Sequence, residues 1–253
     1  MRSLPFALPD RWFAPAPLRE RIAFLTERPY AHRGLHDAVR VENSLAAADA
    51  ALAVGHGIEC DVQASRDDAA FVFHDALLDR LTPRTGRLRD HSARILDTVT
   101  LHGGEPIPTL HALLTRVLGK VPLLIELKAP GRHVGPLCLA VRRDLEGYRG
   151  PVAVMSFNPE VPRWFAAHAP HIVRGLVVTE AGRRHLRGRI ERHLALWRGR
   201  PQFLAYDVRD LPSRFAAAQR ARGLPVLTWT VRDARAETIA HIHADQIIYE
   251  RAA

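Results

Sequence analysis

Short apolar runs of strand length recur eight times along this chain, with helical periodicity between most of them. The runs fall at 30–33, 58–62, 121–128, 151–156, 172–178, 202–207, 225–230 and 244–249. Helical patterns lie near 44–54, 109–117, 133–146, 159–168, 184–198, 211–221 and 233–241. The run Val121-Pro-Leu-Leu-Ile-Glu-Leu-Lys128 is nearly all apolar, as expected of a strand buried on both faces. Alternating strands and helices predict an α/β protein with a parallel sheet, and eight repeats predict a (β/α)8 TIM barrel. An open doubly wound sheet is the alternative. No Gly-rich nucleotide loop follows the first run, which counts against it.

The 253 residues suit one such barrel, so the whole chain, 1–253, is read as a single domain. Residues 1–17 read as a Pro-rich arm. Residues 70–74 (Ala-Phe-Val-Phe-His) read as a hairpin partner of the second strand. Residues 76–106 hold Pro83, Gly86, Gly103, Gly104 and Pro106, and are expected to form an inserted loop on one face. The eighth run lies close to Ala253, so the helical segment 18–27 is expected to close the barrel in place of an eighth helix.

Composition narrows the partners. The net charge is +9, and only Lys120 and Lys128 are lysines, so the excess is arginine. Such a balance attracts anions: phosphate esters or a membrane surface. No basic run is interleaved with aromatics, so nucleic acid is not expected. The run Arg183-Arg-His-Leu-Arg-Gly-Arg-Ile-Glu-Arg192 reads as a solvated helix face, with membrane contact at most peripheral. No stretch is long and apolar enough for a transmembrane helix, and residues 1–17 lack the apolar core of a signal peptide. The expected compartment is cytoplasmic. Cys60 and Cys138 sit in apolar segments and read as buried thiols. The sequence sets no oligomeric state.

The second strand carries two acids, Glu59 and Asp61, in Gly57-Ile-Glu-Cys-Asp-Val62. Side chains alternate along a strand, so both carboxylates take one face and Cys60 the other. Paired carboxylates repel unless they share a proton or hold a cation. In a parallel barrel the carboxyl ends of the strands meet at one mouth. That rule brings together His32 and Arg33 after strand one, Glu59 and Asp61 of strand two, His74 and Asp75 after the hairpin strand, and Glu126 and Lys128 of strand three. Three carboxylates with no cysteine pair suit a hard divalent cation, Mg²⁺ or Ca²⁺. Arg33 and Lys128 supply positive charge for a phosphate, and two histidines can move protons near neutral pH. The residues alone therefore read as a metal-assisted phosphoryl-transfer site.

The motifs His32-Arg33-Gly34, Glu42-Asn43-Ser44, Glu59-Cys60-Asp61, His74-Asp75 with Leu78-Asp79-Arg80, Ile107-Pro108-Thr109-Leu110, Glu126-Leu127-Lys128, Ser156-Phe157 and Trp229-Thr230-Val231 occur in this order. In that order and spacing the chain resembles the glycerophosphodiester phosphodiesterase family, within the wider group of barrels that includes phosphatidylinositol-specific phospholipase C. The resemblance implies Glu59, Asp61 and Glu126 as metal ligands and His32 and His74 as the general acid/base pair. It implies Arg33 and Lys128 as phosphate contacts and Trp229 as an aromatic wall for glycerol. Glu42, Asn43 and Asp75 would orient these groups. The implied substrate is a small-molecule phosphodiester, cleaved to glycerol 3-phosphate and an alcohol. The implied route is attack of the glycerol 2-hydroxyl on phosphorus, a cyclic phosphate, and its hydrolysis.

The chain departs from the family pattern at Arg232, where asparagine is usual, and in His243-Ala-Asp-Gln-Ile-Ile-Tyr-Glu250. There Gln246 stands for a glycine and Glu250 for a terminal aspartate. Two alternatives remain open at this level. One is a lysophospholipase D-like or phospholipase-like enzyme with a lipid leaving group, which an apolar rim on loop 76–106 would favour. The other is a non-catalytic metal- or phosphate-binding barrel.

Overall fold

The computed structural model describes residues 6–250. The architecture is that of a (β/α)8 barrel, and the chain divides into two compact units.

One unit spans Tyr30–Val152 and includes Glu250. It contains β1 (Tyr30–Ala31), β2 (Gly57–Ala64), β3 (Ala70–Val72) and β4 (Leu123–Leu127). β2 is the central strand: it runs parallel to β1 and β4 and antiparallel to β3. The register sets Asp61 beside Glu126 and Glu59 beside Leu124. The expected first strand is shorter than its apolar run. It stops at Ala31, and His32 and Arg33 lie in the turn that follows. Arg33 takes a φ of 56° and Gly34 one of 78°. A side chain at Gly34 would also meet the backbone of Ala47 at 2.8 Å. Only glycine lets this turn lie so closely on the next helix.

That helix (Leu45–Ala53) starts where Ser44 Oγ accepts a hydrogen bond from Ala47 N. The helix at Leu110–Val117 is capped by Thr109 in the same way and buries Leu110, Leu113, Leu114 and Val117. A third, Gly135–Asp144, follows β4. The loop at 76–106 is not loose. Its leucines Leu78, Leu81, Leu88 and Leu96 join Phe71, Phe73 and Ile107 in a core of their own.

The other unit holds residues 6–29 and Ala153–Tyr249. Here β5 (Val152–Ser156), β6 (Val173–Val178), β7 (Phe203–Asp207), β8 (Val226–Val231) and β9 (Gln246–Tyr249) run parallel in sequence order. Helices at Glu160–His168, Leu186–Gly199, Arg214–Ala221 and Ala234–His243 separate them. The segment 18–27 forms two short helical pieces, Arg19–Ile22 and Phe24–Glu27, that bury Ile22 and Leu25. Gln246 of β9 donates to Thr26 O at 2.9 Å, so this segment is attached to the last strand as expected.

The Pro-rich arm needs correcting. Residues 1–5 lie outside the described residues, but Ala7–Phe13 is a helix docked on Leu186–Gly199. Its Asp10 is buried and accepts from His193 and Trp197, each at 2.8 Å, and from Gln219 at 2.7 Å. Proline spacing hid this helix, because the long-range anchor at Asp10 is not a local signal. Among the described residues no helix is long and apolar enough to cross a membrane.

Candidate active site

Glu59, Asp61 and Glu126 are all buried, and each offers an oxygen within 4.8 Å of the others. Their convergence follows from two local rules. Period-2 alternation puts Glu59 and Asp61 on one face of β2, and the parallel register sets Glu126 beside Asp61. The same alternation carries Lys128 to that side. Its Nζ stands 2.5 Å from Glu126 Oε1 and 2.8 Å from Asp61 Oδ1.

The three acids do not share charge equally. Burial works against ionised Asp61, but Lys128 and Arg33 outweigh it and hold its pKa at about 2. Burial, reinforced by Asp61 and Glu126, pushes Glu59 well above the carboxylate range. Burial also lifts Glu126 to about 7, against the pull of Lys128. Buried like charges suppress one another's ionisation. A divalent cation would relieve that frustration, as the Lys128 ammonium does in part through its ion pair with Asp61 Oδ1. The donor set, three hard oxygens, fits Mg²⁺ or Ca²⁺. Cys60, between the two acids in sequence, is buried, and its thiol is pushed far from ionisation by burial and by these carboxylates.

A hydrogen-bonded chain leads away from Asp61. Asn43, at a φ of 58°, donates from Nδ2 to Asp61 Oδ2 at 3.0 Å and accepts from Asp61 N at 3.2 Å. Asparagine tolerates this left-handed backbone better than most residues. Arg33 Nε lies 3.1 Å from Asp61 Oδ2, and its Nη1 donates to Glu42 Oε1 at 2.7 Å. Arg80 clamps Glu42 with both terminal nitrogens, at 2.7 and 3.0 Å. Its Nε reaches Asp75 Oδ2 at 2.5 Å, and Asp75 Oδ1 lies 2.8 Å from His74 Nδ1. Glu42 and Asp75 thus sit between the acid group and His74.

His32 is held differently. Its Nδ1 is 2.5 Å from Glu250 Oε1, and its Nε2 is 3.9 Å from Glu59 Oε2. Burial lowers its pKa despite the opposing influence of Glu250, which favours the neutral ring. Arg33 N donates to Glu59 Oε2 at 3.1 Å, so the turn that carries His32 is tied to the acids through its backbone.

Of the residues singled out in the sequence, His32, Arg33, Glu42, Asn43, Glu59, Asp61, His74, Asp75, Glu126 and Lys128 all fall in this one unit and join this network. Trp229 belongs to the other unit, where its ring meets Phe157 edge-on at 5.6 Å and its Nε1 donates to Ala205 O. Three participants carried weaker sequence signals. Glu250 registers in the sequence only as a departure. Arg80 registers as part of a motif without a role. Gln63 continues the Glu59, Asp61 alternation by one more step, and its Nε2 donates to the carbonyls of Phe73, His74 and Asp75. The period of the strand was the signal for Gln63.

Comparison with known proteins fits this geometry. The model of the Glycerophosphoryl diester phosphodiesterase family matches residues 32–252. YhdW of Bacillus subtilis is 40% identical over 113 residues, covering 42% of this chain and 46% of that protein. A glycerophosphodiester phosphodiesterase of Caldanaerobacter subterraneus is 34% identical over 162 residues, covering 58% of this chain and 65% of that protein. The chain thus spans about half to two thirds of the length of these relatives. Among solved structures, an Oleispira antarctica phosphodiesterase in complex with the product sn-glycerol-3-phosphate superposes with a TM-score of 0.76. It is 23% identical, over 89% of this chain and 93% of that one, a likeness of fold.

Proposed function

The chain belongs to the Glycerophosphoryl diester phosphodiesterase family, and from that premise we propose that it hydrolyses glycerophosphodiesters to glycerol 3-phosphate and an alcohol. The observation that carries this reading is the buried group of Glu59, Asp61 and Glu126 oxygens, within 4.8 Å of one another and flanked by His32 and His74. In this reading those three carboxylates hold Mg²⁺ or Ca²⁺. When bound, the ion supplies a Lewis acid that neutralises charge on the phosphate and lowers the pKa of the attacking hydroxyl.

The protein's own groups do the rest. Glu250 accepts the Nδ1 proton of His32, which leaves the Nε2 lone pair to take the proton of the attacking hydroxyl, the glycerol 2-hydroxyl by family resemblance. His74, oriented by Asp75, protonates the departing alcohol, and the cyclic phosphate left behind takes up water across one P–O bond to give glycerol 3-phosphate. Arg33 and Lys128 are already paired with carboxylates, so they contact phosphate by sharing their charge with it.

A lipid leaving group draws no support from the loop at 76–106. Its leucines at 78, 81, 88 and 96 turn inward, and Leu77 is the large apolar residue of that loop found exposed.

The test is release of glycerol 3-phosphate from glycerophosphocholine, with and without EDTA, by the wild type and His32→Ala. The expected result is activity that EDTA abolishes and that His32→Ala lacks. Metal-independent turnover, or full activity in His32→Ala, overturns the mechanism.

A further inference from the structure

The helix at Ala7–Phe13 is inverted. Its acid, Asp10, is its buried residue, while Leu8 and Trp12 are 80% and 83% exposed and Phe13 is 44% exposed. Leu8 and Trp12 are four apart and share a helix face. The helix it docks on repeats the pattern, with Leu186, Ile190 and Leu194 exposed at intervals of four. Single exposed apolar residues are ordinary, but rows of them on two touching helices imply something apolar outside.

Charge shows what kind of surface that is. A groove of about 1110 Å³ runs beside these helices, and nine of its lining residues are arginines against three carboxylates. Each of those carboxylates is already engaged. Asp10 is bound by His193, Trp197 and Gln219. Glu180 is bound by Tyr206, Ser213 and Arg192. Asp210 is bound by Thr179 and Arg184. The side chains of Arg11, Arg19, Arg189 and Arg214 line the groove with no hydrogen-bond or ion-pair partner among the described residues. Two more lining residues, Arg192 and Arg222, each bury a guanidinium nitrogen that finds no acceptor. Arg11 also borders the apolar patch of Leu8, Trp12 and Phe13, so the basic groove and the apolar helix are continuous.

We propose that this face docks on an anionic lipid surface: the arginines of the groove take lipid phosphates, and Leu8 and Trp12 enter the interfacial layer beside them. Arginine suits phosphate because its planar fork donates two parallel hydrogen bonds. Tryptophan suits the headgroup level because its ring is apolar and its N–H polar. The pairing of an apolar row with a basic one is the pattern of a helix that lies on a membrane without crossing it.

The test is co-sedimentation of the full chain with vesicles of phosphatidylglycerol and phosphatidylcholine, compared with phosphatidylcholine alone. Binding is expected with the anionic vesicles only, and it should weaken as salt is raised. The variant Arg11→Gln/Arg189→Gln/Arg214→Gln should bind on the order of a hundredfold more weakly. Leu8→Ser/Trp12→Ser should also lose binding, while cleavage of soluble glycerophosphocholine stays at wild-type rate in both variants. Failure to sediment with the anionic vesicles overturns the proposal, as does equal binding by either variant. Competition by millimolar inorganic phosphate that abolishes vesicle binding overturns it too, because it would mark a soluble-anion site.

Discussion

The carboxylate of Glu250 lies 2.5 Å from the Nδ1 of His32, although the two residues are 218 positions apart. A base that must offer Nε2 needs its other nitrogen held as a donor, and Glu250 is placed to hold it. Glu250→Gln should therefore lower turnover of glycerophosphocholine by at least about tenfold, part of the roughly 10²–10⁴-fold that general acid–base catalysis contributes. Circular dichroism should show an unchanged fold. Wild-type turnover in this variant would remove Glu250 from the mechanism.

Lys128 stands between Asp61 and Glu126, where a cation is most favoured. Burial opposes its charge, but the two acids keep it protonated. The protein should melt at a higher temperature with millimolar Mg²⁺ or Ca²⁺, since a ligand at a hundred times its Kd stabilises by about 2.7 kcal/mol. Glu59→Gln should abolish that rise without unfolding the chain. An equal rise in Glu59→Gln would show that the metal binds elsewhere.

Arg80 is half-exposed, yet it joins Glu42 to Asp75 and through Asp75 reaches His74. Exposed ion pairs add at most about 1 kcal/mol to stability. Arg80→Ala should therefore leave the denaturation midpoint nearly unchanged and cut kcat roughly 10–100-fold, as loss of an orienting partner does. A variant with normal kcat would show that His74 holds its position without this arginine.

Asp10 lies far in sequence from the groups that bind it. Burial raises its pKa, but hydrogen bonds from His193, Gln219 and Trp197 outweigh that and leave it below the usual value. A depressed carboxylate stabilises the fold above its unfolded pKa of about 3.9, and that contribution disappears as pH falls through the folded value. Asp10→Asn should cost about 1–3 kcal/mol at pH 7. The gap to wild type should shrink as the solution is acidified below about pH 4. Urea unfolding at several pH values measures this, and a gap that stays constant to pH 3 would contradict it.

The strands were legible because their apolar runs are local. All eight parallel strands and the hairpin strand lie where the runs predict. The helix at Ala7–Phe13 was not legible, because its buried acid and exposed leucine and tryptophan invert the usual amphipathic pattern. The loop at 76–106 showed its leucines but not their direction, since irregular backbone has no period from which a face can be read.

Sequence alone determined that Glu59 and Asp61 share a face, because side-chain direction along a strand follows from backbone geometry. It likewise placed Glu126 two residues before Lys128 on the next parallel strand. Tertiary structure decided what these groups meet. The strand register set Asp61 against Glu126, the turn at Arg33 and Gly34 brought His32 to Glu59, and Glu250 came to His32 from the far end of the chain. The division is physical. Alternation is a property of each strand by itself, whereas register and the pairing of distant ends depend on how strands align, which no local pattern encodes.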